Sequence, residues 1–390
     1  MIYFNNAATS YPKPPNVKLA VNDYFNHYPV GQNRNQLGGE DLILNIRKRI
    51  AKFLGIKNCN NLFFTSGATE GLNLLIAGLN VEEGDHLVTT ENEHNSVLRP
   101  LYRLIETKKI KLDIVATNEY GIINVSDIIK YVNSETKAVI VNHVSNVTGF
   151  TLDIEQLALQ IKQKSKAIII VDGSQSVGYL PIDLSRMNAI DAFAFSGHKS
   201  LWALEGIGAV YISESLINSD QNKIAPLIAP LKVGGTGVKS ESLKQPTELP
   251  IYYESGTQNI IGIISLAAGV DFITSIGLEK INQRVSVLSD YLVDKLQAMP
   301  EIISPSFEIE IKNSIISFNI LNHDPSEVAF ILSNSFDIIV REGLHCAPLI
   351  SKRLGFFPKG SIRVGLSYFN TEGEIDFFID SIKKIISSKC

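Results

Sequence analysis

Ala167-Ile168-Ile169-Ile170-Val171-Asp172-Gly173-Ser174-Gln175 sets an unbroken apolar run against a turn that opens with an acid. A strand apolar at every position, rather than at alternate ones, is buried on both faces, which is the condition of a parallel sheet covered by helices. In open sheets of that kind ligands meet the carboxyl ends of the strands, so Asp172 stands where a side chain reaches a ligand. Aspartate also commonly caps the turn after a strand, and this segment alone leaves both readings open.

The same texture extends outward. From about residue 16 to residue 212, short runs rich in Val and Ile alternate with helical patterns. The runs predict strands at Asn61–Thr65, His86–Thr89, Lys111–Val115, Ala138–Asn142, Ala167–Val171 and Ala192–Ser196. Ser126-Asp127 and Asp153 predict the starts of two of the helices between them. From Ala229 to Gly256 the composition turns to Gly, Pro, Ser and Thr without a period, which predicts a long functional loop. Beyond it, an apolar helix near residues 260–278, a strand at Ser314–Ile320 and a closing amphipathic helix at Glu372–Ile386 predict a second αβ part. The expected fold class is α/β. A large domain, residues 16–262, carries a mostly parallel sheet between helices; residues 1–15 and 263–390 form a smaller αβ domain.

Composition narrows the function. Of 390 residues, 45% are hydrophobic and 19% charged, the balance of a chain with a packed core. A net charge of −4 without a Lys/Arg block gives no electrostatic reason to expect nucleic acid or an anionic membrane as partner, so a small-molecule substrate is expected. Three widely spaced cysteines, Cys59, Cys346 and Cys390, argue against a disulfide framework and for a reducing compartment. No basic segment followed by an apolar one opens the sequence, and a cytoplasmic location is expected. Ser265, Asp271, Thr274 and Ser275 interrupt the apolar run at 260–278, which is therefore expected to be a buried helix and not a membrane span. No metal centre is expected.

A second strand leads to a reactive group. Asp191-Ala192-Phe193-Ala194-Phe195-Ser196 runs into Gly197-His198-Lys199, about one βαβ unit after Asp172, so neighbouring strands deliver an acid and an amine to one crevice. Phe63-Phe64-Thr65-Ser66-Gly67-Ala68-Thr69-Glu70 is a strand, a turn of small residues and a helix start. That is the outline of an anion site, and equally of an ordinary strand-to-helix turn. Pyridoxal phosphate requires all three elements: a carboxylate at its ring nitrogen, a lysine for covalent attachment and a phosphate cradle. Asp172 and Lys199 fill the first two roles, with Gln175 near the ring hydroxyl and Ser196 and His198 as phosphate donors. His94 follows another strand end, where it can stack on a ring or exchange protons. In Arg341-Glu342-Gly343-Leu344-His345-Cys346, an arginine and a histidine stand close to a loop cysteine, surroundings that favour a thiolate. Arg363 suits bidentate capture of a carboxylate. Taken singly, each has a plainer reading: Lys199 as a solvated charge, Cys346 as an inert thiol, Arg363 as a surface ion-pair partner.

Together these segments resemble the cysteine desulfurases of pyridoxal-phosphate fold type I (aminotransferase class V), specifically the Suf-type group, which includes selenocysteine lyases. The resemblance spans essentially the whole chain. It runs from Ile2–Thr9 through Thr65–Asn73, Glu93-His94, Val144–Gly149, Val171–Gln175 and Phe195–Lys199. It continues through Glu254-Ser255-Gly256-Thr257, Arg341–Pro348, and Arg363 with Tyr368–Thr371. It implies that Lys199 bonds the cofactor, Asp172 pairs the ring nitrogen, His94 stacks on the ring, and Gln175 and Asn146 contact ring oxygen or substrate. Ala68, Thr69, Ser196 and His198 would hold the phosphate, with Thr257 reaching over from the partner subunit of a homodimer. Arg363 and Arg341 would bind the carboxylate of L-cysteine, and Cys346 would take its sulfur and pass it to an acceptor protein, iron–sulfur cluster assembly being one destination. The other activities open to this scaffold are selenocysteine lysis, a cysteine β-lyase reaction and aminotransfer. The sequence departs from the pattern at Asn5, where an acid is usual, in Gly31–Gln36, which matches a basic stretch loosely, and at Ala203-Leu204, which replaces a Gly-Pro pair. The Trp202–Glu205 turn is therefore expected to be rearranged.

Overall fold

The structure is a computed structural model that describes residues 1–26, 42–217, 228–310 and 313–388. Gly31–Gln36, with Arg34, and Cys390 lie outside the described residues. The chain begins with β1 (Ile2–Tyr3), α1 (Pro15–Asn26) and α2 (Leu42–Phe53). The alternating region follows: β2 (Leu62–Thr65), α3 (Ala68–Ala77), β3 (His86–Thr90), α4 (Asn95–Lys108), β4 (Lys111–Val115), α5 (Val125–Tyr131), β5 (Thr136–Asn142), α6 (Ile154–Lys164), β6 (Ile168–Asp172), β7 (Ala192–Ser196), β8 (Gly208–Ile212) and α7 (Glu214–Ile217). After the long loop come α8 (Ile260–Ile276), α9 (Leu278–Gln297), β9 (Ile302–Ile303), β10 (Ile315–Ile320), α10 (Pro325–Phe336), β11 (Ile338–Ile339), β12 (Arg341–Gly343), α11 (Pro348–Arg353), β13 (Ser361–Gly365) and α12 (Glu372–Ser387).

Strands β2 to β8 form one sheet of seven in the order β2-β8-β7-β6-β5-β3-β4, parallel except for β8, which runs antiparallel to both neighbours. The alternation of βα units does not foresee β8, because an irregular segment, residues 197–207, joins it to β7 and no crossover helix intervenes. The fully apolar strands are explained by what covers them. Along β6, Ile169 and Val171 enter the core on one face, while Ile170 enters the core on the other. Residues of β5 and β7 divide in the same way, Val139, Val141, Phe193 and Phe195 against Ala138, Ile140, Ala192 and Ala194. With both faces dry, each buried Ile or Val contributes about 1.5–3 kcal/mol, and a polar residue at any of these positions loses that term.

The helix starts are chemically legible. Asp153 caps α6 by accepting the Gln156 N–H at 2.9 Å, as expected. The start of α5 moves two residues back from the expected Ser126-Asp127. Asn124 is its cap, and Asp127 closes the box as the third helical residue. The run at 260–278 is a helix, α8, that Gly277 ends at φ 95°, after which α9 leaves at 83°. Among the described residues no single helix is long and apolar enough to cross a membrane. Ile263, Leu266, Val270 and Ile273 of α8 lie in the core beneath the large sheet, and Leu288, Leu292 and Leu296 of α9 lie in a separate core with β10, β13 and α12. A four-stranded antiparallel sheet, β12-β13-β10-β9, forms that second layer, and β1 pairs in parallel with β11 beside it.

The loop after residue 228 has a buried ionic anchor. Arg47 of α2 bonds both carboxylate oxygens of Glu254, at 2.7 and 2.8 Å, with the two side chains 3% and 6% exposed. Glu254 also accepts the Phe64 N–H at 2.7 Å, which fastens the loop to β2. Removing one partner of such a pair strands a buried charge. Glu254→Gln is therefore expected to destabilise the protein by about 3–5 kcal/mol in urea unfolding, whereas a loss below about 1 kcal/mol would show that water reaches and solvates Arg47.

Candidate active site

β5, β6 and β7 end side by side, Asn142 opposite Asp172 and Asp172 opposite Ala194, so their carboxyl ends open into one crevice. The cavity there is lined by Asn142, Asp172, Ser196 and Lys199 from these strands and the turn after β7, and by residues of both cores' connecting loops. Asp172 is buried, and Oδ1 accepts the Ser174 N–H at 2.9 Å and the Ser174 hydroxyl at 2.5 Å. Two bonds on one oxygen fix the direction of the carboxylate. Burial lowers the Lys199 ammonium to about 8; Asp172 opposes the fall, and Arg363 and Arg341 add to it. An amine held near neutrality exchanges protons readily, which a solvated lysine does not.

The anion reading of the small-residue turn gains geometric support. Gly67 sits at φ 154°, ψ 177°, a conformation open to glycine, and no side chain caps α3 behind it. The turn lies flat on β8, where a Cβ at Gly208 would meet the Gly67 Cα at 2.7 Å. The Ala68 N–H donates to the Ser196 hydroxyl at 3.1 Å, and Ala68 and Thr69 both line the cavity. His198 also lines it, with Nδ1 buried and without a hydrogen-bond partner. Burial, then the Lys199 and Lys13 charges, hold the His198 imidazole down to about 4, so it is neutral at pH 7.

The opposite wall comes from the smaller sheet. Arg341 of β12 and Arg363 of β13 face each other in register. Arg363 is 3% exposed and donates to the Asn146 carbonyl at 2.9 Å, while its Nε has no partner. Burial, with Arg341 second, draws this guanidinium down to about 9. Two adjacent cations, one of them incompletely bonded, form a receptor for an anion. Cys346 is exposed at the rim of the same cavity. His345 and Cys346 both have left-handed backbones, φ 51° and 57°. Three contacts hold this strained pair: the Asn95 N–H donates to the Cys346 carbonyl at 2.7 Å, the Asn146 amide to the His345 carbonyl at 2.7 Å, and His345 Nε2 contacts Ser361 at 3.1 Å.

His345 and His94 are both held neutral by burial. His345 does not supply a positive charge beside the thiol, because burial, reinforced by Arg363 and Arg341, drives its pKa well below the ordinary value and leaves it neutral. His94 caps α4: its Nδ1 accepts the Ser96 N–H at 3.0 Å, so the neutral ring carries its proton on Nε2. Burial, then Lys199, lowers its pKa to about 4. The Gln175 amide donates to the Ala7 carbonyl at 3.0 Å, and Asn146 keeps a buried Oδ1 without a partner. Thr257 is exposed and lies outside this cavity. The cavity also takes in Ala7, Ala8, Ser96, Asn142 and Ser174, which sequence reasoning did not single out. Asn142 and Ser174 were accessible to it, since each sits at or just beyond a strand's carboxyl end.

A family model described as aminotransferase class-V matches residues 2–378. A probable cysteine desulfurase of Pyrococcus abyssi is 32% identical, covering 100% of this chain and 95% of that protein. One of Borreliella burgdorferi is 31% identical, covering 99% of this chain and 92% of that protein. Among solved structures, the apo cysteine desulfurase from Thermococcus onnurineus superposes with a TM-score of 0.88 at 32% identity, covering 100% of this chain and 95% of that one.

Proposed function

Because the chain belongs to the aminotransferase class-V family, we propose that it is a cysteine desulfurase that converts L-cysteine to L-alanine and leaves the sulfur as a persulfide on Cys346. The observation that carries this reading is the convergence of Lys199, Asp172, Arg363 and Cys346 on one cavity. The residues fit pyridoxal phosphate: an uncapped helix start at Ala68 and Thr69 and the unpartnered His198 Nδ1 suit its phosphate, and the oriented Asp172 carboxylate suits its ring nitrogen. Lys199 would hold it covalently, His94 would stand against the ring, and Gln175 and Asn146 would contact ring oxygen or substrate. When bound, the cofactor supplies an electron sink for the substrate's Cα.

The protein's own groups do the rest. Arg363, with Arg341 beside it, binds the substrate carboxylate and so fixes Cα relative to Lys199. Lys199 Nζ, lowered to about 8, accepts the Cα proton and can return one to the product carbon. Cys346 Sγ attacks the substrate sulfur. An S–S bond forms as the C–S bond breaks, and the released electron pair stays on the carbon side, where protonation gives alanine. The exposure of Cys346 lets an acceptor protein reach the persulfide, with iron–sulfur cluster assembly as one destination. Exposed Thr257, outside its own chain's cavity, suits a contribution to the site of a second copy in a homodimer.

Incubation of the cofactor-loaded protein with L-cysteine alone is expected to yield alanine and one added sulfur on the peptide containing Cys346, read by mass spectrometry. Pyruvate without a persulfide would overturn the reading in favour of a β-lyase. Turnover of L-selenocysteine without any of L-cysteine would make the protein a selenocysteine lyase.

A further inference from the structure

We propose that Lys13 is a positioning residue whose ammonium, reaching in from the N-terminal segment, fixes the turn that carries Lys199. The inference rests on the reading of Lys199 as the reactive amine. The turn from Gly197 to Glu205 has no regular structure and closes on itself through two bonds: Trp202 N–H to the Lys199 carbonyl and Ala203 N–H to the Gly197 carbonyl, both 3.0 Å. These use the inward carbonyls. The His198 and Ala203 carbonyls, on either side of the lysine, point away and need other donors.

Lys13 supplies them. Its Nζ lies 2.7 Å from the Ala203 oxygen, 3.1 Å from the Ser10 hydroxyl and 3.4 Å from the His198 oxygen. Ser10 adds its own N–H at 2.9 Å and its hydroxyl at 3.0 Å, both to His198. One cation thus spans both flanks of Lys199, as a basic side chain does at the carbonyl end of a helix. The facing charge is Glu205, which bonds the Thr9 hydroxyl at 2.5 Å and favours the charged form of Lys13 against the burial that draws its pKa to about 8.

The turn requires such a clamp. Trp202 takes a left-handed φ of 51° that costs a bulky residue energy. The indole is buried against Tyr179, Phe272 and Phe369, with Nε1 lacking a partner. Packing anchors the inner side of the turn. Ser265 of α8 holds the Leu204 N–H at 3.0 Å, and the N-terminal segment grips the His198 and Ala203 carbonyls that flank Lys199.

The test is amide hydrogen exchange on cofactor-free protein, compared between wild type, Lys13→Met and Ser10→Ala, followed by a pH titration of the bound cofactor's absorbance. Lys13→Met is expected to speed exchange at Trp202, Ala203 and Leu204 about tenfold, with β10 and β13 unchanged, and to shift the absorbance midpoint by more than half a pH unit. Ser10→Ala is expected to do the same to a smaller degree and keeps the test open if Lys13→Met fails to fold. Unchanged exchange in the turn, or an equal rise throughout the protein, would overturn the proposal. Because exchange is measured without cofactor, its outcome stands apart from whether the protein is a desulfurase.

Discussion

Lys199→Ala is expected to abolish alanine formation from L-cysteine and, at the same time, to make the cofactor-free protein more stable at pH 7. The first effect follows from removing the only amine that the β7 turn delivers to the cavity; nothing else there combines a basic nitrogen with a pKa near 8. The second follows from the cause of that pKa. Burial disfavours the charged ammonium, and the Arg363 and Arg341 charges disfavour it further, so the native state carries a cost that the unfolded chain does not. From an ordinary value of 10.5 to about 8, that cost is on the order of 3–4 kcal/mol. The sign fixes the window. Below pH 8 both states bind the proton and the native state bears the full cost. Between pH 8 and 10.5 the unfolded chain binds more protons than the native one, so wild-type stability rises with pH; above 10.5 the difference is gone. The variant's advantage should therefore appear in chemical denaturation at pH 7 and vanish by about pH 10.5. A variant that is inactive yet no more stable at pH 7 would mean that Lys199 is well solvated, and its role as a tuned proton acceptor would fall.

Much of this site was legible before any fold was known, for a physical reason. A parallel sheet covered on both sides leaves its strands no choice but continuous apolar runs, and such runs are easy to delimit, as Ile168–Asp172 and Ala192–Ser196 were nearly to the residue. Once delimited, their carboxyl ends name the residues of the crevice. What stayed hidden depends on contacts distant in the chain. Lys13 reaches Ala203 across 190 positions, and the meaning of Ser10, Ala7 and Ala8 arises only when β1 joins β11 and draws the N-terminus over the Lys199 turn. The charge state of His345 was also hidden, because the strained loop turns the ring into the protein, where burial keeps it neutral. The misplaced cap of α5 is a smaller case of competition between equals. Asn124 and Ser126-Asp127 are both good caps, and the reciprocal bonds between Asn124 and Asp127 decide it.

Cys346→Ala separates desulfuration from every rival reaction on this scaffold. Elimination, aminotransfer and release of selenium need an amine, a carboxylate clamp and the cofactor, whereas transfer of sulfur to the protein needs a thiol in reach of the substrate. The loop is built to present one: Cys346 is exposed at the rim while its backbone is pinned to Asn95 and its neighbour to Asn146 and Ser361. The substitution is mild for folding. Alanine keeps the Cβ and so keeps the strain already stored at φ 57°, and an exposed side chain leaves no cavity behind. With the structure preserved, alanine formation is expected to fall by roughly 10³-fold or more, the scale of losing an attacking nucleophile. Cofactor binding, read by the absorbance of the bound group, is expected to remain. Such a variant should still bind L-cysteine through Arg363 and perturb that absorbance, then stall with the sulfur untransferred. If it instead produced alanine at the wild-type rate, Cys346 would have no part in the chemistry, and the exposed thiol at the rim would have to be read as incidental.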